Sequence, residues 1–152
     1  MLIRSTLLTP LGTMFLEEKD EQVIRLVFCD SPSAAAYHSP LSLTLQTELT
    51  AYFDGRQPTF SVPLQPDLTP YQEKVFRVLS LIPYGHLTTY GELTHALSRG
   101  SAMATGQALK RNPIHILIPC HRVVGKDHQL TGYAGGLWRK KALLRLEHAP
   151  GI

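Results

Sequence analysis

Two short β-type runs dominate the first 29 residues. They are Met14-Phe15-Leu16 and Val23-Ile24-Arg25-Leu26-Val27-Phe28, with turn residues at Pro10-Leu11-Gly12 and Lys19-Asp20-Glu21. Beyond them the apolar spacing becomes helical. Leu41, Leu45, Leu49, Tyr52 and Phe53 recur on one face behind Ser39-Pro40, a capping serine with proline at the first helical position. Asp54-Gly55 stops that helix. Residues 56–68 carry Pro58, Pro63 and Pro66 and read as an extended linker, which puts a domain boundary after residue 66. Thr69-Pro70-Tyr71-Gln72 is a capping box for a second helix that places Tyr71, Val75, Val78 and Ile82 on one face and ends at Pro83-Tyr84-Gly85.

Residues 89–97 and 102–111 read as two short helices joined by the turn Ser98-Arg99-Gly100-Ser101, a helix-turn-helix pattern. The second helix is rich in small residues and ends in Lys110-Arg111, which suits close approach to a groove and to phosphates; the cations also suit a helix C-terminus. Ile114, Ile116, Leu117 and Ile118 predict a short buried strand, ended by Pro119. Gly125-Lys126-Asp127-His128 reads as a turn. Leu130-Thr131-Gly132-Tyr133-Ala134-Gly135-Gly136 reads as a loop whose three glycines let bare backbone approach a ligand, and residues 137–147 as a last helix. The expected fold class is therefore α+β. A small N-terminal strand-and-helix domain, residues 1–66, precedes a mostly helical C-terminal domain, residues 67–152, with the helix-turn-helix.

Composition narrows the class. The 152 residues are 43% hydrophobic and 18% charged, a globular balance with enough chain for a sizeable core. A net charge of +3 and a pI near 9.0 permit a polyanionic partner without requiring one. Two cysteines, Cys29 and Cys120, are too few for a disulfide framework and favour a reducing compartment. There is no apolar run of membrane-spanning length, no signal-peptide pattern and no phosphate-binding glycine loop. Cys29 and His38 are the only Cys or His before His86, too few ligands for a structural zinc site, so no metal is expected.

The candidate chemistry sits at Cys120-His121-Arg122. A thiol at a bend after buried structure, beside an imidazole and a guanidinium, is placed for nucleophilic work, because positive neighbours favour the thiolate. The same residues also fit a small buried structural cysteine, and neighbours on a strand point to opposite faces. Glu147 shares a helix face with Leu143, so on a core-facing stripe its carboxylate would call for a partner, which His121 would supply; an exposed, solvated glutamate fits the same spacing and is the commoner case.

From Thr69 to Glu147 the chain resembles the O6-alkylguanine-DNA alkyltransferases. The carrying blocks are Asn112-Pro113, then Ile118-Pro119-Cys120-His121-Arg122-Val123, then Gly132-Tyr133-Ala134-Gly135-Gly136, then Lys140 and Glu147, in order and at matching spacing. The resemblance implies a winged-helix-like C-terminal domain and double-stranded DNA carrying alkylated bases as partner. It implies one-turnover transfer of an alkyl group from O6-alkylguanine, with O4-alkylthymine as a second candidate lesion, to Cys120. His121 would deprotonate Cys120 through a water, oriented by Glu147. Asn112 would brace the turn, and Tyr90 would donate to the departing guanine. Tyr133, Ala134, Gly135, Leu130 and Leu109 would line the base pocket. Ala102, Met103, Gly106, Gln107, Lys110, Arg111 and Arg122 would contact DNA, in the minor groove. No cofactor is implied, and a cytoplasmic monomer is expected, nuclear if the source is eukaryotic.

One position departs from the family pattern. Met103 stands where relatives carry an arginine that fills the gap left by the flipped base. Methionine can wedge between bases but cannot donate to the orphaned partner. The rival readings are a lesion-binding module without chemistry, a Cys-His-Glu hydrolase, and a transcription factor using only the helix-turn-helix.

Overall fold

A computed structural model describes residues 1–56, 59–97 and 100–152. Among them the chain mixes one three-stranded sheet, one two-stranded sheet and five α-helices. Its internal contacts divide it into two units: Met1–Asp67 with Pro113–Leu117, and Leu68–Asn112 with Ile118–Ile152.

The first unit is built on an antiparallel meander of β1 (Leu2–Thr9), β2 (Gly12–Lys19) and β3 (Gln22–Cys29). Leu2 faces Lys19 and Thr9 faces Gly12 across the first pair, while Thr13 faces Cys29 across the second. Leu7, Met14, Leu16, Val23 and Leu26 are fully buried on one face. Helix α1 (Pro40–Phe53) adds Leu45, Leu49 and Tyr52 to that core, and Gln46 exchanges two 2.9 Å hydrogen bonds with the Leu8 backbone of β1. Ser39 caps α1 as expected, and its hydroxyl also donates to the buried Glu18 carboxylate. Only two of the three strands stood out in the apolar pattern, because Arg4, Ser5 and Thr6 interrupt β1.

Three expectations need correction here. Residues 59–66 are not a free linker: Val23 N–H donates to Pro63 O and Gln65 N–H to Val23 O, each at 2.8 Å, and Val62 is buried. Glu48 accepts from both the N–H and the hydroxyl of Ser61, which ties this stretch to α1. Gln57 and Pro58 of the expected linker lie outside the described residues. The run 114–118 is not a strand. Ile114 makes a single parallel bridge to Leu26, and the chain then turns, with Ile116 at φ +72° and Leu117 N–H donating to His115 O. Burial of Ile114, Ile116 and Ile118 imitated a strand signal, which periodicity cannot separate from a buried turn. That bridge also moves Pro113–Leu117 into the first unit, although residues 67–152 were expected to form one domain.

In the second unit, α2 (Pro70–Leu79) begins with the Thr69 capping box, reciprocated by Gln72. The unit continues with β4 (Thr88–Thr89), α3 (Tyr90–Ala96) and α4 (Ala102–Lys110). It then has β5 (Val123–Val124), parallel to β4, and α5 (Leu137–Leu146). Val75, Leu79, Leu93, Ala108 and Leu109 form the apolar contact of α2, α3 and α4. Thr105 of α4, fully buried, joins the same three helices through Tyr71 (3.1 Å) and Thr94 (2.9 Å). Ser98 and Arg99, in the expected turn, lie outside the described residues.

Ser39→Ala removes both the α1 cap and the hydrogen bond that satisfies buried Glu18. It should lower stability by about 1–3 kcal/mol, read as a lower urea midpoint with unchanged slope.

Candidate active site

Cys120, His121 and Arg122 form a single 3-10 turn, closed by Arg122 N–H to Pro119 O at 3.0 Å. A tight turn rather than a strand carries these residues, so adjacent side chains need not point to opposite faces. All three are buried. The base of the excursion that precedes them is stapled by Asn112, whose side-chain amide donates to Ile118 O at 3.1 Å. The same side chain hydrogen-bonds the Cys120 thiol.

Cys120 forms part of the wall of a cavity of about 210 Å³. Tyr90, at the start of α3, and Leu109 of α4 line it too, as do Tyr133 and Ala134 of the glycine loop. The loop is held from the first turn of α5: Arg139 donates to Gly135 O (3.1 Å) and Lys140 to Gly132 O (2.8 Å). Gly136 sits at φ +96°, which L side chains rarely adopt, and a Cβ there would also come within 3.3 Å of the Trp138 ring.

His121 is fully buried, and its Nε2 lies 2.8 Å from Glu147 Oε2. Its Nδ1 has no hydrogen-bond partner among the described residues. Burial pushes the imidazole pKa below its ordinary value; Glu147 works against this, and the charges of Arg122 and Lys140 reinforce it. The neutral ring must then carry its proton on Nε2 to donate to Glu147, which leaves Nδ1 as an acceptor. Burial works to raise the pKa of Glu147, but hydrogen bonds and charge from His121 and Arg122 outweigh it and hold the carboxyl well below the usual range. Burial pushes the Cys120 thiol well above its ordinary pKa, with Asn112 and the Lys140 ammonium pulling the other way. At rest the site is therefore a thiol, a neutral imidazole and a carboxylate. It can deliver a thiolate only by passing the proton to a base held close by.

Residues 70–149 match the family described as 6-O-methylguanine DNA methyltransferase, DNA binding domain. That is more than half of the chain. The chain belongs to this family. It is 37% identical over 146 residues to the constitutive methylated-DNA–protein-cysteine methyltransferase of Bacillus subtilis, covering 90% of this chain and 88% of that protein. To the Haemophilus influenzae methylated-DNA–protein-cysteine methyltransferase it is 37% identical over 152 residues, 95% and 85% of the two chains. Its fold superposes on the crystal structure of Mycobacterium tuberculosis OGT in complex with DNA with a TM-score of 0.84 at 37% identity, covering 96% and 94%.

Not every residue expected at the site of this family member lies there. Leu130 does not line the cavity; it packs with Val124, Leu144 and Ala149 in a separate apolar cluster, because the loop narrows onto the cavity only from Thr131. Gly135 is buried beneath the loop, its carbonyl taken by Arg139. Arg122, expected to meet DNA, is turned inward. Its Nε and Nη2 grip Glu147 at 2.8 and 3.1 Å, and Nη1 donates to Ile82 O at 2.8 Å. Ala102, Met103, Gln107, Lys110 and Arg111 are exposed on α4 and its cap, Met103 at 74%. Gly106 and Lys110, expected as DNA contacts, also line the cavity, along with Thr131 and Gly132, which were not expected there.

Lys140 carried the family resemblance but was given no place at the site. It is fully buried, and its Nζ lies 5.7 Å from the Tyr90 ring centre. Its spacing could have given it away, since Lys140, Leu143 and Glu147 stand at i, i+3 and i+7 on the buried face of α5.

Among the described residues no group of three or more His, Cys, Asp or Glu side chains is placed to hold a metal ion. Nor is any helix among them long and apolar enough to cross a membrane.

Burial lowers the Lys140 pKa from 10.5 to about 8, so the unfolded chain binds this proton more tightly than the folded one. The cost of burying the charge is present in full below pH 8 and is relieved as pH rises from 8 towards 10.5. Urea midpoints across that window should rise for the wild type relative to Lys140→Met. Parallel curves would show that the ammonium is not buried.

Proposed function

We propose that this protein repairs DNA by transferring an alkyl group from guanine O6 to Cys120, irreversibly and once per molecule. The observation that carries the reading is the thiol of Cys120 on a cavity wall, next in sequence to a buried His121–Glu147 pair, in a chain of this family. In the proposed step the proton of Sγ passes to His121, through a water, and Glu147 balances the resulting imidazolium. The thiolate attacks the alkyl carbon. The S–C bond forms as the C–O6 bond breaks, and the bonding electrons leave with the guanine. Alkyl carbon on oxygen is a poor electrophile, so a soft anionic nucleophile is needed. Tyr90 and backbone N–H groups near Cys120 and Ala134 receive the negative charge that builds on the base. The product is a thioether with no good leaving group, so the protein does not turn over.

The target atom lies inside a base stack, so the nucleotide has to be flipped into the cavity, at a cost of about a few kcal/mol. In this reading α3 and α4 form a helix-turn-helix within a winged-helix-like domain made of residues 68–112 and 118–152, and α4 enters the minor groove. Ala102, Met103, Gly106, Gln107, Lys110 and Arg111 face the DNA, with Met103 as the wedge that replaces the flipped base. Residues 1–66 form a supporting domain. The protein acts as a cytoplasmic monomer without a cofactor.

Intact-mass measurement after incubation with an O6-alkylguanine duplex should show a permanent gain of one alkyl mass, absent in Cys120→Ala. Turnover without an adduct would favour a hydrolase, and tight binding without an adduct a lesion-binding module. Met103→Arg supplies donors for the orphaned base. It should raise the repair rate on duplex more than on free O6-benzylguanine, and equal effects on both substrates would exclude the wedge role.

A further inference from the structure

Arg122 is turned into the protein with its side chain only 11% exposed, which is unusual for a residue that prefers water. Its guanidinium takes both oxygens of Glu147: Nε on Oε1 at 2.8 Å and Nη2 on Oε2 at 3.1 Å. The third nitrogen is anchored on Ile82 O, just past α2, so the fork cannot swing. Oε2 is shared, since it also meets His121 Nε2 at 2.8 Å. The same turn secures the C-terminal end of α5. Tyr84 O–H donates to Leu146 O, and a Cβ at Gly85 would meet Glu147 O at 3.1 Å.

We infer that Arg122 is a positioning residue for the proton transfer. By gripping the Glu147 carboxylate in one plane, it fixes which imidazole nitrogen of His121 holds the proton and which is left to accept one from Cys120. This rests on Cys120 as the reacting thiol, and it concerns only how that thiol is deprotonated. The groups facing His121 are Glu147 and Lys140 from α5, Arg122 and Cys120 from its own turn, and the Tyr133 ring edge-on at 6.3 Å. Of these only Glu147 is anionic, so the cation on Arg122 and that on Lys140 both oppose protonation of the ring. Removing the Arg122 charge makes His121 easier to protonate, so the acid limb of the reaction moves to higher pH.

The test measures Cys120 alkylation against pH in wild type, Arg122→Lys and Arg122→Gln, with two probes: O6-benzylguanine, and iodoacetamide, which needs only a thiolate. Lysine keeps the charge and loses the fork. Arg122→Lys should keep the acid limb in place while the plateau rate falls about tenfold. Arg122→Gln should move the limb up by about one pH unit. Nitrogen NMR of the ring should show a single Nε2–H form in the wild type and a mixture of the two neutral forms in Arg122→Lys. A wild-type plateau, limb and ring spectrum in Arg122→Lys would overturn the inference, and so would a slower Arg122→Gln with an unmoved limb. If Arg122→Gln does not fold, Arg122→Lys decides alone. If the wild type takes no benzyl group from O6-benzylguanine, the repair reading fails, while the iodoacetamide profiles still decide the role of Arg122.

Discussion

A carboxylate shut away from water has to be balanced by its protein neighbours, and Glu147 is only 1% exposed. Stripping such a charge of its hydration costs several kcal/mol, and losing one partner of a buried pair is strongly destabilising. Three features of the second unit meet that demand together. The 3-10 turn brings His121 and Arg122 to the two sides of the carboxylate, α5 delivers Glu147 from its C-terminal cap, and the turn after α2 anchors Arg122. Move any of them and a bare charge is left in the interior. The arrangement is therefore over-determined by stability as well as by chemistry.

The same burial sets the resting protonation of the site. Burial keeps Cys120 as a thiol and His121 neutral. Neither is ionised at rest, which protects the thiol from casual oxidation, since the thiolate is the reactive form. The charge pair forms when the proton moves, and the ionised Glu147 is already in place to receive an imidazolium.

Much of this was legible in the residues. Ser39-Pro40 and Thr69-Pro70 marked two helix starts because capping is local chemistry, written within four residues. The His121–Glu147 link was legible only in part: the helical spacing left an exposed glutamate open, and the family resemblance supplied the pairing. What escaped was set by tertiary context. The run 114–118 is buried enough to look like a strand, and only the left-handed Ile116 reveals the turn. Arg122 was expected to meet DNA, and nothing in its sequence neighbourhood shows Ile82 waiting for it across 40 residues. Lys140 was noticed only as part of the family pattern, and its burial is set by the fold: of Arg139, Lys140 and Lys141 only Lys141 is exposed.

The central claim is that Glu147 acts through His121 to let Cys120 attack. It is tested most directly by the single-turnover rate of Glu147→Gln on free O6-benzylguanine, where DNA binding plays no part. Glutamine keeps the shape and removes the charge that an imidazolium needs. The rate should fall about 10²–10³-fold in a folded protein. A folded Glu147→Gln that reacts as fast as the wild type would contradict the account.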